Sequence, residues 1–153
     1  MALVSFIRKK DSKKIMVQNY RYLNEWTIKN NYSLPLILNI VENISIKKVF
    51  TKLDLWWEYN NIQIKERDEW NVAFTTLEES FKSTVMFFGL TNSPAMFQTM
   101  MNEILWNLIN IREVASFINY IIVGMEKKKR YDEVVKEIVK RLAENDLYVK
   151  PEM

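Results

Sequence analysis

An aspartate inside an apolar run is the feature of this sequence that most directly suggests chemistry. Residues 49–55, VFTKLDL, form a short run of β-prone residues, and Asp54 lies between two leucines near its end. Burying a carboxylate without a partner is costly. This position therefore calls for either a structural partner or a function.

Two interpretations of Asp54 follow from the residues alone. In the first, Asp54 caps a turn or begins a helix after the strand, and Trp56, Trp57 and Tyr59 are core aromatic residues. In the second, Asp54 is a metal ligand at a strand end, and Tyr59 forms the wall of a pocket. The local sequence leaves both open.

Length and composition restrict the class of protein. With 153 residues the chain is long enough for one ordinary core and too short for several domains. Its hydrophobic content is 48%, and no apolar run approaches the length that spans a membrane. Near the N-terminus a short apolar patch precedes the basic residues, the reverse of a secretory signal. We therefore expect an intracellular protein with no membrane partner.

The chain contains no Cys and no His. Disulfides, thiolate metal sites and the most common general base are thereby excluded. Any catalysis must depend on carboxylates, lysines, tyrosines or hydroxyl groups. The formal net charge of +3 allows a nucleic-acid partner without requiring one.

Turn residues and β-prone runs predict several strands and one helix that begins at a proline. In chain order these elements are a hairpin over residues 2–15 with its turn at Asp11 and Ser12, a helix from Pro35 through Ile44, paired strands at 71–76 and 83–88, a hairpin over 114–124 with its turn at or near Asn119 and Tyr120, and a final strand at 147–149.

Two further helices have clear apolar faces. Ser93 is a suitable N-cap for the first, with Pro94 at its first helical position. The second is amphipathic and covers residues 132–145. Its predicted inward residues are Val134, Val135, Ile138, Val139 and Leu142.

Five segments of the chain have distinctive sequences, namely VQNYRYLN, TIKNNYSLPL, FTKLDLWWEYNNIQIK, FFGLTNSPAMFQTMMNEIL and the hairpin around FINYIIVG. Together they resemble the reverse transcriptase of gypsy-type LTR retrotransposons. They occur in the order and spacing of that family from about Lys9 to Glu152, and FGLTNSPAMFQ is the most specific of them.

The resemblance implies an α+β fold, namely the fingers and palm fragment of an RNA-directed DNA polymerase with an antiparallel palm sheet backed by helices. Residues 1–153 would form a single domain fragment, with fingers at about 1–34 and 65–85 and palm at about 35–64 and 86–153. The thumb and the RNase H part would lie outside this chain. The implied partners are an RNA–DNA primer–template and a deoxynucleoside triphosphate (dNTP).

The same resemblance implies a role for individual residues. In the family, three carboxylates hold two Mg²⁺ ions that activate the primer 3′ hydroxyl and neutralise the triphosphate. Asp54 matches the first carboxylate, and Tyr59 matches the aromatic residue that excludes a 2′ hydroxyl. The other positions that match nucleotide contacts are Leu55, Glu58, Phe88, Gly89 and Arg21. The basic residues expected to contact nucleic acid are Lys9, Lys10, Lys13 and Lys14.

Departures from the family pattern bear on catalysis. The family places Tyr-X-Asp-Asp at the hairpin turn, where this chain has FINY, so Asn119 and Tyr120 replace both turn carboxylates. Neutral side chains are poor substitutes for carboxylates in a Mg²⁺ site. Glu58 stands where the family usually has Gly or Ala, and it brings a negative charge towards the phosphates. We therefore expect Mg²⁺ binding to be weak or lost and the chain to be a pseudoenzyme.

Two functions without catalysis are compatible with this sequence. One is a nucleic-acid-binding module that retains the basic fingers. The other is a relic that contacts a protein through exposed aromatic residues, including Trp56 and Trp57. Salt-dependent binding of a duplex distinguishes these two.

Overall fold

The computed structural model describes residues 2–8 and 14–151, and it has the α+β architecture that the sequence predicts. The chain divides into two compact units. The first consists of Met1–Asn30 and Tyr59–Ser93, and the second of Asn31–Glu58 and Pro94–Met153. Within the described ranges, no helix is long and apolar enough to cross a membrane.

Short strands and helices alternate along the chain. Two 3₁₀ turns, Glu58–Asn61 and Glu69–Val72, lie between them. In chain order the described elements are β1 (Ala2–Arg8), β2 (Lys14–Gln18), α1 (Arg21–Trp26), α2 (Ile37–Ser45), β3 (Val49–Asp54), β4 (Phe74–Thr75), β5 (Ser80–Phe81), α3 (Ser93–Ile104), α4 (Trp106–Asn110), β6 (Val114–Phe117), β7 (Tyr120–Met125) and α5 (Lys128–Glu144).

The sheet of the first unit has the strand order β2-β1-β4-β5. β1 pairs antiparallel with β2, and parallel with β4 through Ala2 opposite Phe74. The predicted N-terminal hairpin is therefore confirmed. Its predicted turn residues, Asp11 and Ser12, lie outside the described residues.

A tyrosine is at the centre of the core of this unit. Tyr20 is buried, and its hydroxyl donates to the carbonyl of Val72 at 2.7 Å. This bond satisfies two polar groups that burial would otherwise leave without partners. In the cluster around Tyr20 the buried residues are Ala2, Tyr20 and Val72, and the partly buried residues packed against them are Leu23, Ile64, Phe74, Phe87 and Leu90.

The sheet of the second unit is antiparallel, with the order β3-β7-β6. The register of β3 and β7 runs from Val49 opposite Met125 to Asp54 opposite Tyr120. β7 is the central strand and is rich in β-branched residues, as the predicted hairpin over 114–124 requires. This sheet is the element that carries Asp54.

Helices cover the sheet of the second unit with regularly spaced apolar residues. The predicted amphipathic helix is confirmed as α5, which packs against β7 and β3. Its buried residues Val134, Ile138 and Leu142 are four apart, so they lie on one face. The predicted inward position of Val139 is wrong, because this side chain is 48% exposed.

The segment predicted as a strand at 83–88 does not form one. β4 pairs instead with Ser80–Phe81, much closer in sequence, and only Val85 forms an isolated bridge, with Gln63. The final predicted strand at 147–149 is likewise reduced to a single bridge between Val149 and Leu55. In both segments a single bridged pair of residues is too short to form a β-strand.

Candidate functional site

The β6–β7 hairpin lies beside the end of β3 in the second unit. Its two turn residues are Ile118 and Asn119, and Tyr120 begins β7, so the predicted turn position is confirmed. Asp54 is directly opposite Tyr120 in the ladder. The next residue, Leu55, is buried and donates its backbone N–H to the carbonyl of Asn119 at 2.9 Å. The structure thus brings the three predicted catalytic positions together.

Two side chains donate hydrogen bonds to the Asp54 carboxylate. Lys150 Nζ and Asn119 Nδ2 both bond to Asp54 Oδ1, at 2.8 Å and 3.0 Å. The side chains of Lys150 and Asp54 are 42% and 33% exposed, which places the ion pair at the edge of the sheet. A positive charge of the chain itself therefore balances Asp54.

Backbone hydrogen bonds hold Lys150 beside Asp54. After α5 the chain runs antiparallel to the residues that follow β3, and the Trp56 N–H donates to the carbonyl of Tyr148 at 2.8 Å. The Lys150 N–H donates to the carbonyl of Asp54, also at 2.8 Å. These two bonds fix the register of the terminal segment against the strand end.

A second carboxylate, Glu58, and a second ammonium group, Lys52, also lie in this region. Burial raises the pKa of the Glu58 carboxyl above its usual value; the Lys150 ammonium opposes this shift and the charge of Asp54 adds to it. On the sheet, Lys52 Nζ lies 4.5 Å from the centre of the Tyr120 ring. The region therefore has mixed charge rather than a concentrated negative one.

These groups do not fit a Mg²⁺ site. Mg²⁺ prefers several oxygen ligands with carboxylate charge in octahedral geometry. Around Asp54, Asn119 presents its N–H rather than its oxygen, and Lys150 presents an ammonium. Among residues 2–8 and 14–151, no group of three or more His, Cys, Asp or Glu side chains could hold a metal ion.

A buried glutamine holds the backbone of the hairpin turn. Gln98 is fully buried on α3, and its Oε1 accepts the N–H of Ile118 at 2.7 Å. Its Nε2 donates to the carbonyl of Ser116 at 3.0 Å and to Asn102 Oδ1 at 2.8 Å. Gln98 therefore satisfies two backbone polar atoms where β6 enters the turn.

In the first unit, two of the predicted nucleotide contacts form an aromatic pair. The rings of Tyr59 and Phe88 meet edge to face with centroids 4.9 Å apart. Tyr59 is buried, whereas Phe88 is exposed. The buried ring of Tyr59 therefore supports the exposed ring of Phe88.

The loop after Phe88 is held by an asparagine. Gly89 has φ +103°, a conformation that side chains disfavour. Asn24 Nδ2 donates to the carbonyl of Gly89 at 2.7 Å, and Asn24 Oδ1 accepts the N–H of Thr91 at 2.9 Å. One side chain thus fixes both ends of this turn.

The predicted cationic contacts are only partly described. Arg21 is exposed, and both its backbone N–H and its Nε donate to Asn19 Oδ1, at 3.3 Å and 3.1 Å. Lys14 is exposed at the start of β2, where it pairs in register with Arg8. The remaining predicted contacts, Lys9, Lys10 and Lys13, lie outside the described residues.

Three residues of these sites were not identified from the sequence: Lys150, Gln98 in its contact with the hairpin, and Asn24. Gln98 and Asn24 lie inside the segments that carry the family resemblance, which is a usable signal. Lys150 is 96 residues from its partner Asp54, and it follows a segment that makes only one bridge. No local pattern predicts that contact.

Solved structures share this fold. A foamy viral protease-reverse transcriptase in complex with double-stranded DNA matches 97% of this chain and 26% of its own, with a TM-score of 0.88 and 23% identity. The foamy viral protease-reverse transcriptase in complex with an RNA/DNA hybrid matches 97% of this chain and 20% of its own, with a TM-score of 0.87 and 22% identity. The fold is therefore that of a reverse transcriptase fragment.

The sequence matches the family described as reverse transcriptase (RNA-dependent DNA polymerase) over residues 7–152, and the chain belongs to that family. The Tf2-7 and Tf2-3 transposon polyproteins of Schizosaccharomyces pombe are each 31% identical to it over 146 residues, which is 95% of this chain. The chain spans 11% of the length of those polyproteins.

Proposed function

We propose that this chain is the fingers and palm part of a gypsy-type LTR retrotransposon reverse transcriptase, which binds a primer–template duplex and does not transfer nucleotides. The second unit, whose antiparallel sheet carries Asp54, is the palm, and the first unit is most of the fingers. The observation that carries the loss of catalysis is the 2.8 Å ion pair between Lys150 Nζ and Asp54 Oδ1.

Charge is the reason that this pair is incompatible with polymerase chemistry. Nucleotide transfer needs negative ligands that hold two divalent ions against the triphosphate. Here Lys150 neutralises Asp54, and Asn119 and Tyr120 contribute no negative charge. Two Mg²⁺ ions brought to this region would meet Asp54, which Lys150 neutralises, and Glu58, whose charged form burial disfavours, and these are too few negative ligands to hold them.

Retained duplex binding is supported by the basic hairpin of the first unit. Arg8 and Lys14 are exposed and face each other across β1 and β2, and Lys9, Lys10 and Lys13 lie between them in sequence. Clusters of this kind bind phosphates by releasing condensed counterions. The foamy viral relatives are themselves described in complexes with double-stranded DNA and an RNA/DNA hybrid.

The test is binding of a fluorescent RNA–DNA primer–template from about 50 to about 300 mM salt. Affinity should fall steeply with salt, and neutralising Arg8 and Lys14 to Gln should reduce the slope of log K against log salt by roughly 1.8, or about 0.9 for each charge. The matched control neutralises Lys136 and Lys140, which are exposed on α5. Equal slopes for both double variants would contradict binding through this hairpin, and no binding by folded protein would contradict duplex binding itself.

Loss of catalysis has a separate test with the same duplex. We expect no primer extension in Mg²⁺ and dNTP because the site lacks ligands. Extension by the wild-type chain that disappears in Asp54→Asn would overturn this part of the proposal.

A second candidate function is binding of another protein through exposed indole rings. Trp57 is 64% exposed and has φ 57°, a strained conformation for a bulky residue. Its neighbour Trp56 is 48% exposed. A folded sample that does not bind the duplex at any salt concentration would favour this candidate.

A further inference from the structure

Both acceptor positions of one Asp54 oxygen are already used within the chain. A carboxylate oxygen has two lone pairs. Asp54 Oδ1 accepts one hydrogen bond from Lys150 Nζ at 2.8 Å and one from Asn119 Nδ2 at 3.0 Å. A metal ion that binds this oxygen must therefore displace one of the two donors.

Displacing Lys150 is opposed by the backbone. The Lys150 N–H donates to the Asp54 carbonyl at 2.8 Å, so the lysine and the aspartate are linked at the main chain and at the side chain. A divalent ion lies about 2.0–2.6 Å from a ligand oxygen, so it would lie close to an ammonium that shares this oxygen. Repulsion between two cations at that separation is strong.

The charge of Lys150 also acts on the second carboxylate of this region. The ammonium lowers the pKa of Glu58, against the effect of burial. One lysine therefore interacts with both acidic side chains that a metal would need. Lys150 therefore supplies to these two carboxylates the positive charge that a bound metal ion would otherwise supply.

From this geometry we infer that the Lys150 ammonium is the resident cation of the Asp54 site and excludes divalent ions from it. This inference rests on the proposed loss of catalysis at the same edge of the sheet. It adds that the site is closed to divalent ions by a particular residue, and that removing this residue opens it.

The experiment is a Mn²⁺ titration of the nucleic-acid-free protein, with free Mn²⁺ measured by electron paramagnetic resonance. The Lys150→Gln and Lys150→Met variants should bind Mn²⁺ about tenfold or more tightly than the wild type, because a like charge is removed from the ligand oxygen. The control Lys140→Gln, an exposed lysine paired with Glu144 at 3.8 Å, should match the wild type. The gain should disappear when Asp54→Asn is added to Lys150→Gln.

Wild-type protein that binds Mn²⁺ as tightly as folded Lys150→Gln would overturn the inference, as would a gain that survives Asp54→Asn. Thermal unfolding provides an independent measurement: the double variant Asp54→Asn with Lys150→Gln should lower Tm by less than the sum of the two single variants. Additive losses would overturn the ion pair itself. Neither measurement uses a duplex or an activity, so failure of the proposed function is distinguished from failure of this inference.

Discussion

Gln98 Oε1 accepts the backbone N–H of Ile118 at 2.7 Å, so a helix side chain determines the position of the hairpin turn in the second unit. The turn carries Asn119, whose amide bonds to Asp54. Gln98 therefore positions Asn119 on Asp54 through the backbone of the turn, while the bonds to Asp54 Oδ1 come from Asn119 and Lys150. Gln98 is a positioning residue.

Gln98→Leu should destabilise the fold by about 2–4 kcal/mol, because the replacement keeps the volume and removes the bonds to the partly buried Ile118 N–H and the buried Ser116 carbonyl. Chemical denaturation at neutral pH measures this change. Glu103→Gln, at an exposed position on the same helix, is the control and should change stability by less than about 0.5 kcal/mol. Equal stabilities for the two variants would show that the backbone around the turn finds other partners.

Stability at alkaline pH should depend on Tyr20. Burial raises the pKa of its hydroxyl from 10.0 to about 12. Because the folded state keeps the proton longer than the unfolded chain, the contribution is complete below pH 10 and is lost as the pH rises towards 12. Tyr20→Phe should lose about 1–3 kcal/mol at pH 7, where the Val72 carbonyl is left without a donor, and should show a smaller alkaline decrease than the wild type.

The measurement is urea unfolding between pH 7 and the onset of alkaline unfolding. Tyr22→Phe is the matched control, since Tyr22 lies on α1 and is 76% exposed. An alkaline decrease of the same size in Tyr20→Phe and wild type would mean that other groups cause it.

Elements with a local signal could be predicted from the sequence. The α5 helix follows from apolar residues four apart, and the two hairpins follow from β-prone runs separated by polar residues. The position of Asp54 at a strand end beside the second hairpin also follows, through the family resemblance. The helix and the hairpins depend on neighbours within about one element, whereas the position of Asp54 depends on the order of the family's motifs along the chain.

The remaining features depend on contacts distant in sequence. The run at 83–88 is apolar enough for a strand, yet β4 finds a nearer partner at residues 80–81, and no local property distinguishes these outcomes. The pairing of Lys150 with Asp54 needs the register of a segment 96 residues away. The ion pair that neutralises Asp54 is therefore the feature of the site that could not be predicted from the sequence.

Ile118→Gly should stabilise the protein. Ile118 has φ 52°, a left-handed conformation that a β-branched residue adopts at a cost of about 1–3 kcal/mol, whereas glycine adopts it freely at the first position of a two-residue hairpin turn. Allowing for the loss of partly buried apolar surface, we expect a net gain of about 1 kcal/mol in the free energy of unfolding. Ile122→Gly, on the extended strand β7 of the same hairpin, is the control and should be destabilising, because it loses packing and no strain is relieved. Thermal and urea unfolding of both variants measures the difference, and a loss for Ile118→Gly as large as that for Ile122→Gly would mean that the turn is not strained.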